Sequence, residues 1–163
     1  ILENAIETLV NAKRVEFYAF GGSAPVAMDG QHKFFRLKIS SSYISDPHLQ
    51  FMSANSLEKD DVVVAISQSG TTSALIDSVK IVRKNGGKVI GIMPGNTPLS
   101  NLCDFPLTID VGVENRITKP VTSRIAYTAV IDVLTMGVAQ LKPEAQDHLY
   151  NIADSQRSLK VDN

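Results

Sequence analysis

Residues 61–67, DVVVAIS, restrict the fold more than any other stretch of the chain. The run from Val62 to Ile66 has no polar interruption. That is the pattern of a strand covered on both faces, which occurs in parallel sheets flanked by helices. Gln68-Ser69-Gly70-Thr71-Thr72 follows at once, then a helical pattern to Asn85 with Leu75, Val79 and Val82 on one stripe. Buried strand, tight polar turn and amphipathic helix together form the unit of an open α/β sheet.

The same unit recurs along the chain. Ile1–Ala12 reads as an amphipathic helix, and Arg14–Phe20 as a strand ending in the turn Gly21-Gly22-Ser23. Residues 24–37 have helical spacing, and 39–44 form a short strand. Asp46-Pro47 then opens a helix to about Asn55, with Asp at the N-cap and Pro in the first turn. Lys88–Met93 is a second buried strand, 98–102 a helical turn, and Phe105–Val111 a last strand. A loop from Gly112 to Val121 precedes a long apolar helix that opens at Thr122 or Ser123 and runs to Leu141. Pro143 starts a final helix. Strands alternating with helices predict an α/β fold, a three-layer α-β-α arrangement around a parallel sheet. No linker or repeat interrupts it, so residues 1–163 are read as one domain.

Composition removes several classes of function. The 163 residues carry a formal net charge of −1, whereas a surface that binds nucleic acid by itself is usually basic. One cysteine, Cys103, excludes an internal disulfide framework and reads as a small buried apolar residue. Three histidines make a His-rich metal site unexpected, so no metal and no cofactor are expected. No apolar run is read as reaching the roughly 18 residues of a membrane span, and no membrane partner is expected. The chain opens on Ile1 with no leader pattern, as a piece cut from a longer protein would, and a cytoplasmic location is expected.

Chemistry is expected in the turns that leave the carboxyl ends of the strands. Ser67-Gln68-Ser69-Gly70-Thr71-Thr72 places four hydroxyls around a glycine at a helix start. A helix N-terminus offers free backbone N–H groups and partial positive charge, so this turn is a candidate cradle for a phosphate. Simple capping needs one hydroxyl, not four. The pattern is neither a Walker loop, which requires Gly-Lys-Ser/Thr, nor a dinucleotide-binding glycine turn.

The segment Ala65-Ile66-Ser67-Gln68-Ser69-Gly70-Thr71-Thr72 resembles the phosphosugar signature of the SIS (sugar isomerase) domain family. Gly21-Gly22-Ser23 sits where that family places a turn whose Ser contacts the sugar. The helix opening at Thr122-Ser123-Arg124 sits where the family closes over its ligand. The resemblance covers essentially the whole chain. It implies a five-stranded parallel sheet, doubly wound in the flavodoxin-like way, and a homodimer or higher homo-oligomer.

SIS domains include isomerases and sensors. An isomerase needs a base, which the family supplies as a Glu before the late helix. Glu114 lies in that loop but farther from Ser123 than the family pattern has it, and Arg124 replaces the family's Lys. A solvated carboxylate paired with Arg116 is the simpler reading of Glu114. The segments Pro47-His48-Leu49-Gln50, Asp60-Asp61-Val62-Val63, Ser123-Arg124-Ile125-Ala126 and 129–134 are similar to the effector domain of RpiR-type transcriptional regulators. Those proteins bind DNA through a separate N-terminal helix-turn-helix domain, the only route to DNA expected here. Within the group the string is most like repressors of hexose catabolism, which implies 2-keto-3-deoxy-6-phosphogluconate as effector. The expectation is therefore a sensor without catalytic residues that binds a sugar phosphate or phosphorylated sugar acid. Its candidate ligand-binding residues are Gly22, Ser23, Ser67, Gln68, Ser69, Gly70, Thr71, Thr72, Glu114, Arg116, Ser123 and Arg124. The runner-up is an aldose–ketose isomerase of sugar phosphates.

Overall fold

A computed structural model describes residues 1–112 and 119–157. The strands are β1 (Arg14–Ala19), β2 (Ser41–Ile44), β3 (Asp61–Ile66), β4 (Lys88–Met93) and β5 (Phe105–Thr108). They pair in the order β2-β1-β3-β4-β5, and every neighbouring pair is parallel. The helices are α1 (Leu2–Val10), α2 (Ala24–Arg36), α3 (Pro47–Ser56), α4 (Ser73–Lys84), α5 (Lys119–Leu141) and α6 (Pro143–Arg157). The five-stranded parallel sheet with helices on both sides is the expected architecture.

The central strand shows why the sheet is covered twice. All six residues of β3 are buried. Successive side chains of a strand point to opposite faces. Val62, Val64 and Ile66 accordingly pack with Phe17, Phe34, Leu9, Tyr127, Ile131 and Leu134, under α1, α2 and α5. Val63 and Ala65 pack with Tyr18, Leu75, Val79, Val82 and Leu57, under α3 and α4. The first layer is close-fitted: Phe17 and Phe34 meet edge to face at 5.3 Å between centroids. Gly30 of α2 lies on the Phe17 ring, where an added Cβ would come within 2.6 Å of it.

The helix starts and stops follow local chemistry. The Asp46 side chain accepts a hydrogen bond from the Leu49 N–H, with Pro47 in the first turn, so the predicted cap of α3 is present. Some boundaries differ from the sequence reading. The last strand ends at Thr108 rather than Val111, because its only partner, β4, ends at Met93, opposite Thr108. The 39–44 strand is confined to Ser41–Ile44. The long helix begins at Lys119, before Thr122, with Pro120 in its first turn.

One composition argument needs correction. Residues 120–141 of α5 are long and apolar enough to cross a membrane by length and composition alone, with a mean hydropathy of 1.2. The helix is instead divided lengthwise. Ser123, Tyr127, Ile131, Leu134 and Val138 are buried in the core, while Val121, Ile125, Val133 and Met136 face outward.

A candidate phosphosugar pocket at the switch in strand order

The sheet order reverses direction between β1 and β3. The chain leaves β1 for α2 on one face and leaves β3 for α4 on the other. The two departing turns therefore flank a crevice beyond the strand ends, which is where open α/β sheets bind ligands. A cavity of about 340 Å³ occupies that place, lined by Phe20, Gly22, Ser23, Ile66, Ser67, Gln68, Ser69, Thr72 and Leu75.

The β3–α4 turn is braced from within. Ser67 is buried, and its hydroxyl oxygen accepts from the Gly70 N–H at 3.0 Å. The Ser69 oxygen accepts from the Thr71 N–H at 3.2 Å. A serine hydroxyl that accepts still has its own proton to donate, so both remain donors toward the cavity. Thr72 stands at the N-cap of α4 but its side chain makes no capping bond. Its hydroxyl and the first N–H groups of α4 are thus left for another acceptor. Among the described residues, no Lys, Arg or carboxylate lines this cavity. Its donors are hydroxyls, an amide and backbone N–H groups.

Gly70 is required by the backbone and by packing. Its φ is +64°, in the left-handed region that favours glycine. A Cβ there would come within 2.3 Å of the Thr97 hydroxyl, and the Gly70 carbonyl accepts from the Leu99 N–H at 3.1 Å. The glycine lets the turn dock on the 97–99 segment; it does not line the cavity, and neither does exposed Thr71.

A second, narrow cleft of about 10 Å³ adjoins the cavity, sharing Gly22, Ser23 and Gln68 with it. Val26, Pro120, Ser123, Arg124 and Tyr127 complete its walls. The structure thus brings Gly22, Ser23, Ser67, Gln68, Ser69, Thr72, Ser123 and Arg124 to one place. Glu114 and Arg116 lie outside the described residues. Sequence reasoning missed the apolar walls Phe20, Ile66 and Leu75, and Tyr127; the last was signalled only by standing one helical turn after Ser123.

Other candidate reactive groups are accounted for. The Cys103 thiol is half-buried, donates to the Leu99 carbonyl at 3.2 Å, and is pushed up to about 12, chiefly by burial. Among the described residues, no group of three or more His, Cys, Asp or Glu is placed to hold a metal ion.

Comparison with known proteins agrees with this geometry. The SIS domain family model matches residues 8–137, and the chain belongs to the SIS domain family. Within it, the chain is similar to the HTH-type transcriptional regulator HexR. The Pseudomonas aeruginosa protein is 35% identical over 156 residues, covering 95% of this chain and 55% of the relative. The Escherichia coli protein is 33% identical over 162 residues, covering 99% and 56%. The chain therefore spans about half the length of these relatives. Among solved structures, Vibrio vulnificus NanR complexed with ManNAc-6P superposes with a TM-score of 0.89 at 23% identity. That match covers 99% of this chain and 61% of NanR, and at this identity it speaks to the fold. The likeness to RpiR-type effector domains read from the sequence agrees with the HexR matches.

Proposed function

We infer that this domain is the effector-sensing part of a bacterial transcriptional regulator of sugar catabolism, and that it binds a sugar phosphate without turning it over. One observation carries the reading. The cavity at the switch in strand order is built of hydroxyls and a helix N-terminus whose cap residue leaves its own hydroxyl unused. A phosphate group is the acceptor that satisfies such a set, each bond to the charged acceptor contributing about 1.5–3 kcal/mol. The similarity to HexR supports a regulator rather than an isomerase.

In this reading Ser67, Ser69 and Thr72, with the amides of Gln68, Ser69 and Thr72, hold the phosphate, and Ser23 meets the sugar chain. Arg124, at the mouth of the cleft, suits a carboxylate by a paired contact, which favours 2-keto-3-deoxy-6-phosphogluconate. DNA is contacted by a part of the protein outside these residues, and the regulator works in the cytoplasm. The outward apolar stripe of α5, Val121, Ile125, Val133 and Met136, supports a homodimer. Ligand binding changes the regulator only through unequal affinity for its two arrangements.

Thermal melting tests this with 2-keto-3-deoxy-6-phosphogluconate, fructose 6-phosphate, glucosamine 6-phosphate and inorganic phosphate, with Ser69→Ala alongside. A ligand at about 100 times its Kd adds roughly 2.7 kcal/mol to the stability. The expected result is a shift with a sugar phosphate, reduced in Ser69→Ala, with no product formed. Consumption of fructose 6-phosphate would make the domain an isomerase, and no shift with any of the four would overturn the phosphate reading.

A further inference from the structure

Two buried tyrosines pose the question. Tyr18 and Tyr127 are 0% and 1% exposed. The Tyr18 hydroxyl donates to Glu16 Oε2 at 2.9 Å, and the same oxygen accepts from Ser53 Oγ. Among the described residues the Tyr127 hydroxyl has no hydrogen-bond partner, and neither has the hydroxyl of Ser123, one turn earlier and also 1% exposed. Other hydroxyls of α5 turn back on their own helix: Thr128 donates to the Arg124 carbonyl and Thr135 to the Ile131 carbonyl. A buried polar group left unmatched is costly, so a pair of them on one face of one helix calls for an explanation. Both line the narrow cleft that continues from the cavity at Gly22, Ser23 and Gln68.

We propose that Ser123 and Tyr127 form a subsite for an uncharged oxygen, a hydroxyl or keto group, on the chain of the sugar phosphate held by the β3–α4 turn, and that Tyr127 thereby sets which sugar is accepted. The proposal rests on the phosphate-binding reading of the adjoining cavity and names what lies beyond the phosphate. Burial, with the Asp110 carboxylate adding to it, pushes the Tyr127 phenol up to about 12, so it stays protonated and can donate. The neighbouring carboxylate also argues against an anionic group at this spot and leaves the ligand's own carboxylate to Arg124. At about 10 Å³ the cleft is at the lower limit for a single water. The ligand oxygen therefore enters as the first turn of α5 and the Gly22-Ser23 turn part. Neither Gly21 nor Gly22 has an atom within 4 Å of where a Cβ would stand, so that wall has room to yield. A site built to pair a ligand hydroxyl rejects ligands lacking it, because its own groups then stay unmatched.

The test is isothermal titration of the chain and of its Tyr127→Phe and Ser123→Ala variants. The ligands are inorganic phosphate, fructose 6-phosphate, glucosamine 6-phosphate and 2-keto-3-deoxy-6-phosphogluconate, and each variant is melted without ligand. The wild type is expected to bind at least one sugar phosphate more tightly than phosphate. Tyr127→Phe should weaken that sugar phosphate by about tenfold and phosphate by less than about twofold, with the unliganded Tm unchanged or raised. Ser123→Ala should act in the same direction. Unchanged sugar-phosphate affinity in Tyr127→Phe overturns the proposal and assigns the cleft to a bridging water. Equal losses for phosphate and sugar phosphate, with a lowered Tm, overturn it in favour of a structural role. A wild type that binds sugar phosphates no tighter than phosphate overturns the subsite alone. A wild type that binds none of the four overturns the phosphate-binding reading as well.

Discussion

The two turns that frame the cavity are built in opposite ways. The β3–α4 turn is tied at every step: Ser67 and Ser69 accept from Gly70 and Thr71, the Gly70 carbonyl holds Leu99, and the left-handed glycine fits against Thr97. The β1–α2 turn is a single 3-10 turn, Gly21–Ser23, with two backbone bonds, from the Ser23 N–H to the Phe20 carbonyl at 3.1 Å and from the Ala24 N–H to the Gly21 carbonyl, and no side-chain cap. Open space surrounds both its glycines. One wall is therefore set in place before any ligand arrives, and the other has latitude. In the proposed reading, donors aimed at a phosphate gain from fixed positions, since every phosphate has the same shape. The wall facing the variable part of a ligand does better with tolerance.

Substitutions can break this contrast, the largest effect coming first. Gly70→Ala forces a Cβ onto Thr97 and a side chain into the left-handed region. It should lower stability by about 3 kcal/mol, the sum of overpacking and backbone strain. Chemical denaturation measures it, and a loss under about 1 kcal/mol would mean that the turn is not braced by this contact. Ser67→Ala leaves the buried Gly70 N–H without its acceptor, for about 1–2 kcal/mol, or roughly 2–6 °C in Tm for a domain of this size. Gly22→Ala adds a methyl where there is space and the backbone is not left-handed. Its stability should move by less than about 0.5 kcal/mol, while sugar-phosphate affinity falls by calorimetry. If Gly22→Ala destabilised the fold as much as Ser67→Ala, the two turns would not differ as described.

The same contrast explains what could be read in advance. Residues 62–66 announced a central strand because burial on both faces leaves no polar residue among them, and all six residues of β3 are buried. The hydroxyls of the β3–α4 turn were legible because they are contiguous. The strand order came with the family resemblance, which implied a flavodoxin-like doubly wound sheet, and not from the strand patterns themselves, since it depends on which face each helix crosses. The start of α5 was placed too late because Thr122 and Ser123 look like caps. Pro120 was the better signal, and Ser123 is instead turned inward. Tyr127 was hidden among apolar neighbours: its isolation appears only where α5, the Gly22-Ser23 turn and Gln68 converge. The packing reason for Gly70 was not legible, because its close neighbour, Thr97, is distant in sequence.

The absence of formal charge from the cavity lining, among the described residues, has a consequence for acidity. Hydroxyls, an amide and backbone N–H groups do not ionise between pH 5 and 9. The phosphate does ionise, with a second pKa of about 6. Over that range the lining described here has no proton to give or take. A sugar phosphate held here, as proposed, would be the group that changes state, and a pocket that favours the dianion would bind it more weakly as pH falls.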